Sequence, residues 1–294
     1  MSLDIQPLHA DFAAQIGGVN IAEDLSAPQR DELRAAVEKF GVVVLPDQPL
    51  EKAAQIRFSE RFGPLDIGFK KASKSPSRLD YEELLDMSNV GEDDEIVARH
   101  HRKIVGNIAN QLWHSDSSFQ KPVSTFSFLL AVVLTQKGGE TEFADTRVAY
   151  ETLAPDRKTE LHGLVAKHHP LYSRLQLGDT SYSPEQRDAI APAEWPLLRA
   201  GHPSGRTGLF IGAHAHEVIG MTVPEGRMLL ADLLEHTTAP ERVYRHHWRL
   251  GDLVIWDNRV TLHRGRRFDF SERRELRRTT VLEIDAVLSD STAA

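Results

Sequence analysis

The chain of 294 residues contains no cysteine, which excludes disulfides, thiolate nucleophiles and cysteine-ligated zinc or iron–sulfur sites, so any metal must be held by histidine and carboxylate. A formal charge of −8 argues against a nucleic-acid partner, and 40% hydrophobic residues suffice for a sizeable core. No apolar run reaches the roughly 18 residues of a membrane span, and Met1-Ser2-Leu3-Asp4 lacks the basic and apolar regions of a secretion signal, so a cytoplasmic protein without a membrane partner is expected.

Ser26, then Pro28 to Leu33, opens a helix that ends at Gly41. Val42 to Leu45 reads as a short apolar strand closed by Pro46-Asp47, and Glu51 to Phe62 as a second amphipathic helix stopped by Gly63-Pro64. Residues 66–104 are polar and aperiodic, which predicts a long loop or lid, the kind of segment that is usually functional or disordered. Strand signals follow at Phe126–Leu134, Thr141–Ala144, Leu164–Lys167, Leu209–Gly212, Val243–Trp248, Leu253–Trp256 and Arg278–Ile284, interrupted by helices at roughly 146–162 and 224–237. Many short strands with turn signals between them predict a mainly antiparallel β core with helical decoration; a double-stranded β-helix, or jelly roll, fits best. With no internal repeat or linker, residues 1–294 read as one domain. A homo-oligomer is expected, although the apolar face at 224–237 is also what a core-packed helix would show.

Trp113-His114-Ser115-Asp116 carries the first chemical signal. On a strand, residues two apart share a side, so His114 and Asp116 can offer an imidazole and a carboxylate to one ion. The pair alone is also what a hydrogen-bonded His–Asp at a strand end would look like. A distal histidine, His263, follows the turn–strand–turn of residues 251–258 and completes a set of two His and one carboxylate, which leaves one face of an octahedral Fe(II) open. A tetrahedral zinc hydrolase competes at this point. Beyond His263 come Arg274 and Arg278, which as strand residues share a face with Leu276, while Arg273 and Arg277 share the other and read as surface charges. Two inward guanidinium forks match two carboxylates, and this favours the iron reading. Gly138-Gly139 marks a turn before a strand on which the Thr141 hydroxyl can donate to a carboxylate also held by an arginine.

The ordered set His114-x-Asp116, Gly139-x-Thr141, His263, Arg274 and Arg278 resembles the taurine dioxygenase family of Fe(II)/2-oxoglutarate enzymes. The stretches 110–119, 141–143, 210–215, 256–259, 262–267 and 273–278 look closest to its herbicide-degrading, aryloxyalkanoate branch, and the resemblance spans nearly the whole chain. It implies a jelly roll; His114, Asp116 and His263 as iron ligands; Thr141 and Arg274 on the distal carboxylate of 2-oxoglutarate; and O2 as second cosubstrate. It further implies a small carboxylate substrate met by Arg278, with Asn110 and Lys71 (or its neighbour Lys70) assisting. The implied reaction hydroxylates the carbon next to the ether oxygen of an aryloxyacetate, releasing a phenol and glyoxylate with succinate and CO2. The acidic run Glu92-Asp93-Asp94-Glu95 departs from the basic residue expected near the substrate entrance, which leaves the loop contacts and the preferred substrate open. A sulfonate such as taurine, another aromatic carboxylate, or a non-catalytic metal- or anion-binding jelly roll are the competing readings. His214 and His216 share strand-like spacing and are candidates to border the site; the pairs His100-His101, His168-His169 and His246-His247 read as structural, and Trp113 and Trp256 as wall packing.

Overall fold

A computed structural model describes residues 3–67, 78–179, 183, 185 and 191–283. The elements run β1 (Asp4–Pro7), β2 (Ala14–Gly17), α1 (Ala27–Phe40), β3 (Val42–Leu45), α2 (Lys52–Glu60), β4 (Leu85–Ser88), α3 (Arg102–Ala109), β5 (Ser124–Val133), β6 (Thr141–Asp145), α4 (Thr146–Glu151), α5 (Pro155–Leu161), β7 (Val165–His168) and α6 (Tyr172–Gln176). The remainder is β8 (Ala193–Pro196), β9 (Leu198–Arg199), β10 (Gly208–Leu209), β11 (Ala215–Val218), α7 (Val223–Thr237), a short 3-10 turn at 240–242, β12 (Val243–His246), β13 (Leu253–Asp257), β14 (Thr261–Gly265) and β15 (Glu275–Leu282).

A seven-stranded sheet has the order β1-β2-β3-β13-β5-β15-β4, and a three-stranded sheet the order β12-β6-β14. Pairing is antiparallel throughout both except between β2 and β3. The period-two rule divides the side chains of the large sheet cleanly. Val43, Leu45, Phe126, Phe128, Leu130, Leu253 and Ile255 point to the face covered by α1 and α2, where they meet Leu33, Val37, Phe58 and Phe62. Val42, Val44, Leu129, Val254, Trp256 and Leu276 point the other way and meet Phe143 of the small sheet. A third cluster, with Ala144, Leu262, Leu209 and Leu230, packs the back of the small sheet against α7 and the strands around it. The two sheets thus face each other across a layer of alternating side chains, and the candidate site lies at one end of that layer.

Several expectations need correction. The long loop expected over 66–104 contains, in its described part, β4, which pairs with β15, and ends in α3. Four residues of mixed polarity in β4 give too short an alternation to register against their neighbours. The single helix expected at 146–162 is two, because Pro155 restarts the chain as the first residue of α5. His114 is not on a strand: it forms an isolated bridge with His263, and Asp116 lies in the turn that follows. Arg277 is buried, not at the surface, and its guanidinium donates to the Leu50 carbonyl. Among the described residues no helix is long and apolar enough to cross a membrane.

Candidate metal and cosubstrate site

The backbones of His114 and His263 exchange both hydrogen bonds, 3.0 Å from His114 N–H to the His263 carbonyl and 2.8 Å in return. This bridge attaches the 113–116 segment to the edge of β14 and sets the two imidazoles 4.2 Å apart between centroids. Asp116 closes the set: the ligand atoms of His114, Asp116 and His263 all lie within 4.8 Å of one another, and the three residues are buried.

Their protonation suits a cation. The His114 Nδ1 lies 2.7 Å from the Leu112 carbonyl, so it carries the proton and leaves Nε2 free to coordinate. Burial pushes the His114 imidazole below its ordinary value and that of His263 well below it, the Asp116 charge opposing only in part. Burial raises the Asp116 carboxyl, but Arg278, His263, His114 and Ser127 together hold it below the usual carboxylate range. Two neutral imidazoles and one carboxylate are the form a divalent metal needs.

The turn gives Asp116 its position but not its orientation. Ser127, on β5, donates to Asp116 Oδ2 at 2.7 Å; Asn258 Nδ2 donates to Ser127 Oγ at 2.9 Å; Trp256 Nε1 donates to Asn258 Oδ1 at 2.8 Å. Ser115 is fixed to the Asn258 carbonyl at 2.7 Å. The Arg278 guanidinium donates to the other carboxylate oxygen of Asp116. Ser127 and Asn258 escape the sequence reading. Their only signal there is a polar side chain inside the apolar run Phe126-Ser127-Phe128 and an amide just past Trp256-Asp257.

A cleft runs from His114 and His263 past Thr141, Asn110, Arg274 and Arg278, with Leu129, Leu276 and Phe268 as apolar wall. Arg274 Nη2 donates to the Gly139 carbonyl at 2.7 Å, and the guanidinium lies 5.0 Å above the Phe268 ring. Burial pushes it down to about 10, against the opposing charge of Glu140. Among the described residues no carboxylate comes within ion-pair distance of it, so the fold sets a half-buried cation beside the cleft without a carboxylate partner. Gly139 has φ +78°, and a Cβ there would approach Arg274 Nε to 2.8 Å, so glycine is needed for both the turn and the approach. Trp248 Nε1 donates to Thr141 Oγ1 at 3.1 Å, which leaves the threonine proton to be donated onward. The fit to iron and a dicarboxylate rests on these features: a buried neutral-His, anionic-Asp triad opening onto a cleft that also holds an arginine without a carboxylate.

Other candidates fall elsewhere. His214 borders the triad, its ring 6.2 Å from that of His114 and 4.9 Å from Phe119. His216 lies apart, against Tyr172 and His169. His101 caps α3, accepting from Lys103 N, and His246 lies edge-on to Trp248. Lys71, with Lys70, lies outside the described residues. Of the acidic run, Asp94 pairs with Arg273 at 2.6 Å and with Arg78 at 3.0 Å, so it binds the chain's own cations.

The description of the taurine catabolism dioxygenase TauD, TfdA family matches residues 4–280. The chain belongs to that family. It is 53% identical over 288 residues, covering 98% of this chain and 100% of the other, to the alpha-ketoglutarate-dependent 2,4-dichlorophenoxyacetate dioxygenase of Cupriavidus pinatubonensis. It is 35% identical to the (S)-phenoxypropionate/alpha-ketoglutarate-dioxygenase of Sphingobium herbicidovorans, covering 93% and 92% of the two chains. Among solved structures, AAD-2 in complex with Mn(II) and N-oxalylglycine superposes with a TM-score of 0.89 at 39% identity, covering 97% of this chain and 98% of that one.

Proposed function

We propose that the protein is an Fe(II)- and 2-oxoglutarate-dependent dioxygenase that hydroxylates an aryloxyacetate of the 2,4-dichlorophenoxyacetate kind, using a single jelly-roll domain. The observation that carries the reading is the meeting, in one cleft, of a buried His-Asp-His triad with an arginine that has no carboxylate partner among the described residues. Iron, 2-oxoglutarate and O2 supply the oxidising chemistry, with 2-oxoglutarate leaving as succinate and CO2. The protein supplies binding and orientation. His114, Asp116 and His263 hold the metal. Arg274 forms a charge-assisted pair with the far carboxylate of 2-oxoglutarate, and Thr141 donates its remaining proton to the same group. Arg278, beside Asp116, binds the substrate carboxylate in a bidentate fork and so turns the adjoining carbon, and not the ring, toward the metal. Hydroxylation of that carbon gives a hemiacetal that collapses to a phenol and glyoxylate. Asn110 lines the cleft where the substrate would lie, and Leu129, Leu276 and Phe268 offer an apolar surface to an arene.

The likeness to two 2,4-dichlorophenoxyacetate dioxygenases, at 53% and 51% identity, favours an aryloxyacetate over a sulfonate. The test is to incubate the protein with Fe(II), ascorbate, 2-oxoglutarate and 2,4-dichlorophenoxyacetate in air and to measure succinate and the free phenol. Equal amounts of both, lost when iron or 2-oxoglutarate is omitted, are expected. Succinate without phenol would sink the aryloxyacetate assignment, and neither product from metal-loaded protein would sink the dioxygenase assignment.

A further inference from the structure

Arg274 sits one residue before β15, at a point where the strand ladder with β4 breaks. The β4–β15 register pairs Ser88 with Glu275, and one step further Asn89 faces Arg274. The Asn89 N–H still donates to the Arg274 carbonyl at 3.3 Å, but the Asn89 carbonyl is diverted to accept from Val97 N at 3.0 Å. An antiparallel pair of this kind normally exchanges both bonds, so the diversion takes from the Arg274 N–H its ladder acceptor. The Asn89 side chain replaces it: Oδ1 accepts from Arg274 N at 2.9 Å. Its amide donates to the carbonyls of Phe270 at 3.0 Å and Glu272 at 2.8 Å, fixing the turn through which the chain enters Arg274. Asn89 is fully buried. The residues on either side of Arg274 are fastened to the same segment, Arg273 to Asp94 and Glu275 to Arg78.

We propose that Asn89 is a positioning residue for 2-oxoglutarate: its carboxamide substitutes for the missing ladder bond and fixes the backbone from which Arg274 reaches the cosubstrate. It does not line the cleft. The inference rests on the role given to Arg274 above. With Asn89 replaced by alanine, the Arg274 N–H and two carbonyls lose their partners, and the guanidinium, poised within hydrogen-bond reach of Gly139, loses the fixed origin that sets its direction.

The experiment is calorimetric binding of 2-oxoglutarate to anaerobic Fe(II)-loaded protein, which reads affinity without turnover, set beside the KM for each substrate and kcat in air. Asn89→Ala is expected to raise the 2-oxoglutarate Kd about tenfold, with metal affinity and the KM for the aryloxyacetate within about twofold of the parent. Asn89→Asp retains Oδ1 and side-chain volume but loses the donor to Phe270 and Glu272; it is expected to weaken 2-oxoglutarate in the same selective way and serves if the alanine variant does not fold. Leu33→Ala, a core change remote from the cleft, controls for lost stability and should leave the Kd unchanged. An unchanged Kd in either folded Asn89 variant overturns the proposal, as does an equal loss of metal, 2-oxoglutarate and substrate affinity. An unchanged Kd in Arg274→Ala would instead overturn the role assigned to Arg274, which separates the two failures.

Discussion

Ser127 and Asn258 carry no charge and do not line the cleft, yet they decide which oxygen of Asp116 faces the histidines. Outer partners of this kind typically govern metal affinity by 10–100-fold. Ser127→Ala should therefore weaken Fe(II) or Mn(II) binding by about tenfold or more, and an unaltered metal titration would show that the turn alone suffices. Arg278 is the complementary case, because a fork and a point charge differ most where two oxygens must be met at once. Arg278→Lys should raise the KM for the aryloxyacetate about tenfold or more while 2-oxoglutarate binding stays within about twofold; parental kinetics would remove Arg278 from substrate binding. At this scale the ligand candidates were legible because their types and order are restrictive in a chain without cysteine. Ser127 and Asn258 were not, since a serine within an apolar strand and an amide after a strand have many structural uses. The pairing of Arg278 with Asp116 was not legible either, because it depends on β5 and β15 being neighbours.

Elements meet at charged seams as well as apolar ones. Arg147, on α4, is fully buried and pairs with equally buried Asp145 at 2.6 Å. Its Nη1 donates to the carbonyl of Glu38 at 2.6 Å, and Nη2, which also meets Asp145, donates to that of Lys39 at 3.2 Å, which satisfies open carbonyls at the end of α1. Arg147→Met would strand a buried carboxylate and those carbonyls together, and should cost about 3–5 kcal/mol in urea unfolding; a loss below about 1 kcal/mol would mean that the pair is no more than a surface-type contact. Strands β3, β5 and β13 were readable from sequence because both of their faces are buried, giving continuous apolar runs. Helices α1 and α7 were readable from their caps and prolines. β4 was hidden because it is held by charge and amide contacts, such as Asp86 with Lys103 at 2.6 Å and Asn107 with the Ser88 carbonyl at 3.1 Å, which leave no alternation; α3 carries Ile104, Val105 and Ile108 at helical spacing, but its eight residues are a short signal at the end of a polar stretch.

For the molecule as a whole, stability should depend on acidity through histidines kept neutral. His168 is fully buried, stacked on Phe210 with centroids 5.1 Å apart, and burial, with His216 adding to it, pushes it down to about 3. The folded chain binds fewer protons there than the unfolded chain, whose value is the ordinary 6.5. Its contribution is therefore complete above that pH and drains away as pH falls toward 3, at up to about 1.4 kcal/mol per unit. His168→Phe should flatten the fall of Tm between pH 6.5 and 4, and a parallel curve would assign the acid sensitivity to other groups. The order of the large sheet carries a consequence for how the protein comes into being. β13 lies between β3 and β5, and β15 between β5 and β4, so two strands that leave the ribosome late insert between strands made earlier. Until they emerge, β3 and β5 each present an unpaired edge of strongly apolar sequence, the hazard that long-range pairing imposes on a nascent chain. The same late residues carry His263, Arg274 and Arg278. A chain ended at residue 250 should accordingly aggregate when expressed alone, and production of the intact enzyme should be limited by chaperone capacity during synthesis.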